Sequence, residues 1–253
     1  MNALNHPGLI FVLSVVTLTL FSVFGARVIG KYMDHGKEAR EDFDIVLAAS
    51  LTLLGLIIGF AFSMSVSRYE ERKNYEEEEA NAIGTEYARA GLLAAAHTAK
   101  VRPLLRSYLD ERILYYDTRD ADKLRQIDTH TNELQAQLWS EIEAAAGEGP
   151  PNPILALVVS GMNDVLNSQS YTQAAWRNRI PPAAWALLAV IAMACNLLVG
   201  VRASELKRRQ GLLAILPLLL SVAFLLIADI DSPRGGYIHV RPLNLMSLAA
   251  SLR

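Results

Sequence analysis

Hydrophobic positions in this chain fall in blocks. Four apolar runs, at residues 8–29, 45–66, 183–201 and 212–228, are each close to the length a helix needs to cross the roughly 30 Å hydrocarbon layer of a bilayer. A short polar loop joins the first two runs and another joins the last two. Between the pairs lies a long, more polar stretch, residues 67–180, with apolar residues at helical spacing. The pattern predicts an all-α integral membrane protein with four transmembrane helices in two hairpins. The hairpins occupy residues 1–66 and 181–253, the latter with a C-terminal tail, and flank a helical extramembrane domain at 67–180.

The second run passes without a proline into RYEERKNYEEEEANAIGTEYARAGLLAAA. One long helix is therefore expected from Asp44 to about Ala96, leaving the bilayer and continuing as the stem of the middle domain. Pro103 suits the first position of a new helix. Asp120 or Asp122 caps the next, whose apolar positions include Leu124, Ile127, Leu134, Leu138 and Ile142. GEGPPNP at 147–153 is a break, and a last helix follows over 154–178. Pro181 and Pro182 open the third span, with Trp176 and Trp185 expected at the membrane interface. Asn196 is expected to bond across to a neighbouring helix, and Pro217 to kink the fourth span.

Certain positions stand out from this frame. Gly55, Gly59 and Ser63 recur every four residues on the second span, a helix-packing seam against either the first span or another subunit. Glu79 and Glu86, seven apart, share a helix face with Ile83 between them. A second face carries Ala80, Gly84, Tyr87, Gly91 and Ala94 and calls for a close partner. The run Glu76–Glu79 reads as a solvated face, with Arg72–Glu76 and Lys73–Glu77 pairs along it. Asp229 and Asp231 end the fourth span, where carboxylates oppose the helix dipole. Arg234 is the natural counter-charge. The competing reading is a site for an inorganic cation shared with Glu79 or Glu86, since oxygen ligands suit a hard ion.

Net charge is −2, so electrostatics give no support to a nucleic-acid partner. The single cysteine, Cys195, excludes an intrachain disulfide. The histidines at 6, 35, 97, 130 and 239 show no metal-ligand spacing, and no phosphate-cradling loop or nucleophile elbow is present. No enzyme activity, cofactor or metal is expected. The segment MNALNHPG lacks a basic n-region, so the first run reads as an uncleaved span. The short loops carry Lys31, Lys37 and Arg40, then Arg202, Lys207, Arg208 and Arg209, with Arg27 beside the first. By the positive-inside rule both loops are cytoplasmic, which puts residues 67–180 on the non-cytoplasmic side. Arg68, Arg72, Lys73, Arg177 and Arg179 oppose that assignment.

Two segments, GLIIGFAFSMSVSRYEERKNYEEEEANAIGTEYARA and ADIDSPRGGYIHV, resemble the signatures of a bacterial membrane family called bestrophin-like. EANAIGT occupies residues 79–85, and DIDSPRGG at 229–236 stands where the family has DLDRPxxG. The resemblance implies a multi-pass protein of the inner membrane related to bestrophins, which are pentameric anion channels with four spans. It also implies a cytoplasmic middle region, opposite to the charge count. The acidic calcium-binding clasp of bestrophins has no counterpart in the sequence. The function expected is an oligomeric ion channel or transport-like pore, partnered by the lipid bilayer, further copies of itself and an inorganic ion. The alternative is a membrane-anchored helical scaffold without transport activity.

Overall fold

The structure is a computed structural model and describes residues 6–31, 37–148, 150, 152–205 and 213–252. Lys207, Arg208, Arg209 and Leu212, on which part of the loop and span assignment rests, lie outside the described residues, as do the side chains of Lys31 and Lys37. Among the described residues there are eight α-helices and no strand: α1 Pro7–Arg27, α2 Lys37–Arg89, α3 Ala95–Asp117, α4 Ala121–Gly147, α5 Pro153–Arg177, α6 Pro182–Glu205, α7 Ile215–Asp231 and α8 Leu243–Ser251. Among the described residues three segments are long and apolar enough to cross a membrane: Pro7–Arg27, part of Arg40–Leu92, and part of Pro153–Ala203, whose uncharged stretch at 180–201 lies mostly in α6. The fourth apolar run forms α7, a helix of 17 residues.

The chain divides into two compact units, Met1–Arg68 with Arg179–His239, and Tyr69–Asn178 with Val240–Arg253. The tail from Val240 onward thus clusters with the middle region and not with the hairpin that precedes it.

In the first unit, α1 and α6 run side by side and approach backbone to backbone. A Cβ on Gly25 would lie 2.2 Å from the Leu197 carbonyl oxygen, and one on Gly200 would lie 2.0 Å from that of Ser22. These two glycines make the close seam, and the contact exists because neither has a side chain. Gly55, Gly59 and Ser63 are exposed, and a Cβ at either glycine would meet nothing within 4 Å. The α2 residues that enter the core are Leu54 and Ala61, with Leu18, Leu188, Ala192, Cys195, Phe224 and Ile227 around them. Where α6 ends, Arg202 donates to Asp44 near the start of α2 at 2.7 Å.

Two local expectations are corrected here. Asn196 donates to the Ala192 carbonyl one turn back in its own helix, at 2.7 Å, and not across to a neighbour; a short amide side chain reaches its own backbone first. Pro217 lies in the first turn of α7, where its missing N–H has no intrahelical partner to lose, so a kink has no cause there.

In the second unit α2 stops at Arg89, seven residues before the expected end. A 3-10 turn, Ala90–Leu92, follows, and Leu93 and Ala94 take extended ψ values of 165° and 146°. The Thr98 hydroxyl donates to the carbonyls of Ala90 at 2.8 Å and Leu93 at 3.1 Å, tying off the corner. α3 therefore starts at Ala95, with Pro103 inside it and not at its first position. Asp120 caps α4 by accepting from the N–H groups of Asp122 and Lys123, which lowers its carboxyl below the ordinary range. Asn152 caps α5 in the same way. Gly84 on α2 is where α8 comes close, a Cβ there lying 3.0 Å from Leu248. Trp176, expected at a membrane interface, is buried in edge-on contact with Tyr115 and Tyr116, with ring centroids 5.5 and 5.3 Å away.

Gly25→Leu and Gly200→Leu should each destabilise the chain by about 1–3 kcal/mol, because a side chain there meets immovable backbone. Gly59→Leu should leave the fold of the single chain intact. Thermal melting of the purified proteins in detergent separates the two cases.

Candidate functional site

The charged part of α2, from Arg68 on, turns a mixed stripe inward. Arg72, Glu76, Glu79, Ile83, Glu86 and Ala90 are all buried, and their spacings of three and four residues keep them on one face. Only Glu77 and Glu78 of the acidic run are exposed. The solvated-face reading therefore holds for those two and is corrected for Glu76 and Glu79, which the seven-residue repeat turns toward the core.

Glu79 is fully buried against an equally buried Arg112 from α3. The Arg112 Nε donates to Glu79 Oε1, and Nη2 lies 3.5 Å from Oε2. Tyr116 Oη and Thr172 Oγ1, from α3 and α5, donate to Glu79 Oε2 at 3.1 and 3.2 Å. One carboxylate thus gathers donors from two other helices. The Arg112 guanidinium also sits 4.4 Å from the Tyr115 ring centroid. Burial alone would lower the Arg112 pKa, but the adjacent Glu79 holds it above its ordinary value. Burial first, and Glu79 second, push the Tyr116 hydroxyl up, so it stays a donor at neutral pH.

Glu76 does different work. Its Oε1 accepts from the backbone N–H groups of Asn244 and Leu245 at 2.9 and 3.0 Å, and its Oε2 from the Asn244 amide at 2.6 Å. These donors open α8, whose own N-cap position is Pro242, with no side-chain cap. The carboxylate serves as a cap from 168 residues away in sequence.

Glu86 has no such partners. It is fully buried, and neither carboxyl oxygen has a hydrogen-bond partner among the described residues. It presses on α5 where that helix has Gly161; a Cβ there would lie 2.1 Å from Glu86 Oε2 and 2.5 Å from Arg89 Nη1. Burial raises its pKa to about 8; Arg89 opposes the rise and Asp164 adds to it.

At the end of α7, Asp229 accepts from the N–H groups of Tyr237 and Ile238, both at 2.8 Å. The chain turns back tightly enough that a Cβ on Gly236 would lie 2.3 Å from the Asp229 carbonyl oxygen. Asp231 accepts from the Ile180 N–H at 3.1 and 3.2 Å and has Arg68 Nη1 at 3.6 Å. The two carboxylates at the unfavourable pole of α7 are therefore compensated by backbone donors and by Arg68. Arg234 is half-buried beyond the turn. Among the described residues no group of three or more His, Cys, Asp or Glu side chains could hold a metal ion.

Sequence reasoning placed Glu79 and Glu86 on one face and singled out Asp229 and Asp231. It missed Arg112, Tyr116 and Thr172 as partners of Glu79, Arg68 as the partner of Asp231, and Asn244 as the partner of Glu76. A signal existed for Arg112: it interrupts a buried stripe of Leu105, Tyr108, Leu109, Tyr115 and Tyr116, where a cation needs an anion.

Helical throughout, with membrane-length apolar helices and an ion pair sealed in its second unit, the molecule is of the integral membrane class. The chain belongs to the bestrophin-like family, whose domain model matches residues 11–245. A crystal structure of a point variant of a bacterial bestrophin homologue from Klebsiella pneumoniae has the same fold, with 16% identity, a TM-score of 0.64, and 96% of this chain and 97% of that one covered. Another structure of that homologue, phased on zinc, matches at 17% identity and a TM-score of 0.61, covering 96% and 94%. No curated protein matches the sequence.

Arg112→Met should cost about 3–5 kcal/mol, since it leaves the Glu79 charge buried without its cation. The double variant with Glu79→Gln should lose less than the sum of the two single losses. Melting temperatures of the four proteins close the cycle.

Proposed function

We propose that the chain assembles with copies of itself as an ion channel in the cell inner membrane, crossing it four times, with α2 framing the path. The observation that carries this reading is the family match over residues 11–245. The fold shared with bacterial bestrophin homologues supports it. So does the bare face of α2: Gly55, Gly59 and Ser63 form a surface suited to close helix approach, and among the described residues no other element lies within 4 Å of a Cβ placed on either glycine. A second copy supplies that neighbour. In this reading α7 is the fourth span; its 17 residues extend about 25 Å, a mismatch that local bilayer thinning absorbs.

Two measurements test the proposal together. The purified protein should have the mass of an oligomer in detergent, and liposomes containing it should pass small ions that empty liposomes retain. Gly59→Leu should lower the assembled fraction. A strict monomer at every concentration sinks the pore and favours the membrane-anchored scaffold.

On the side of the membrane two arguments diverge. Short-loop charge puts residues 67–180 on the non-cytoplasmic face, and the layout of bestrophins puts the middle region in the cytoplasm. We give the family layout more weight, because the charge count is opposed by Arg68, Arg72, Lys73, Arg177 and Arg179 on the other side. In a Cys195→Ala background, Lys37→Cys should react with a membrane-impermeant thiol reagent in intact cells, and Asp120→Cys should be protected. The reverse pattern restores the assignment made from charge.

A further inference from the structure

The carboxylates of Glu76, Glu79, Asp229 and Asp231 all accept hydrogen bonds from donors that the fold supplies. Glu86 is the exception. It is fully buried with both oxygens unpartnered among the described residues, and it faces a helix that has a glycine at the point of contact. An ionised carboxylate in that position loses its hydration and gains no donor in exchange, whereas the neutral acid avoids most of that penalty. The charged groups around it are Arg89, one turn along its own helix, and Asp164 on α5. Arg89 is partly engaged elsewhere, its Nη1 reaching the Leu157 carbonyl of α5 at 3.4 Å.

We propose that Glu86 is a proton-binding site that fastens α5 to α2: with the proton on, the two helices close at Gly161, and loss of the proton opens that contact. The fit at Gly161 is what makes the site sensitive. With a Cβ position there only 2.1 Å from Glu86 Oε2, no space remains in the closed contact for a hydration shell around a carboxylate. Hydration of the charge requires α5 to move away. The inference concerns the second unit alone and does not depend on what the protein conducts.

The direction of the pH dependence follows from the pKa shift. In the unfolded chain Glu86 releases its proton near the ordinary carboxyl value of 4.5, and in the folded chain near 8. Between these values the folded state holds a proton that the unfolded state lacks. The contribution of Glu86 to stability is therefore complete below about 4.5 and falls as pH rises, until it levels off above 8. The unfolding equilibrium moves by up to about tenfold per pH unit across that window.

Thermal melting of the full-length protein and of Glu86→Gln, from about pH 5 to about pH 9.5, tests this. The advantage of Glu86→Gln over wild type should widen with pH and level off near 8, since the amide cannot ionise. Asp164→Asn should bring the levelling point to lower pH and Arg89→Gln should carry it higher. Hydrogen-exchange protection of α5, corrected for the intrinsic rate at each pH, should fall over the same window in wild type and stay level in Glu86→Gln. A difference between wild type and Glu86→Gln that is the same at every pH overturns the proposal, because a purely packing role has no proton in it. If Glu86→Gln does not fold, the two neighbour variants decide: shifts in opposite directions support the site, and no shift, or shifts in the same direction, remove it.

Discussion

The interaction on which the second unit depends is the sealed pair between Glu79 and Arg112. Neither group touches solvent, so each supplies the counter-charge that the other lacks from water. Its energetic worth compared with an apolar core is modest at best, since desolvating two charges costs about what their attraction returns. Its structural consequence is larger. Donors to one carboxylate must arrive from α3 and α5 at defined positions, and a helix rotated by one residue turns Arg112 or Thr172 away. The apolar residues of the same unit's core, Leu105, Leu109, Val165 and Trp176 among them, tolerate small displacements; the hydrogen bonds do not.

Acidic side chains close the fold at three further places, each time by accepting backbone N–H groups. Glu76 opens α8, Asp229 folds back the loop after α7, and Asp231 holds the backbone where the chain enters α6 at Ile180. The two segments that carry the family resemblance, residues 79–85 and 229–236, thus have architectural reasons for their composition. Glu79 binds Arg112, Gly84 admits Leu248, Asp229 collects two N–H groups, and Gly236 permits the turn. A motif rich in carboxylates beside a membrane span invites an ion-binding reading. In these two segments the oxygens of Glu79, Asp229 and Asp231 already have donors.

What was legible in the sequence follows from range. Helix type, the four apolar runs and a cap at Asp120 or Asp122 depend on residues within a turn or two of each other, and the local pattern reports them directly. The shared face of Glu79 and Glu86 was legible for the same reason. The partners were not, because Arg112, Thr172 and Asn244 lie 33 to 168 residues from the carboxylates they serve and periodicity contains no pairing information. The glycine seam shows the limit from another side. Small residues every four positions at Gly55 and Gly59 and the less regular pair Gly25 and Gly200 satisfy the same packing chemistry, yet within one chain only the second pair is used. Spacing says that a helix can be approached closely; it does not say by which neighbour.

These assignments constrain the proposed channel. Residues 45–66 contain no Asp, Glu, Lys or Arg. The charges that bracket them are Asp44, paired with Arg202, and Arg68, beside Asp231. A path framed by α2 therefore offers an ion hydroxyls, aromatic edges, sulfur and backbone, and its nearest fixed charges are drawn toward partners in the same chain. Selectivity in such a path rests on width and on the cost of stripping water from the ion, since no ring of bare charge is present along the span. In the proposed channel the segment's own side chains would set that width: Phe60, Phe62 and Met64 are exposed on α2 along with Gly59 and Ser63, so large and small residues are interspersed among the α2 side chains that the chain leaves exposed.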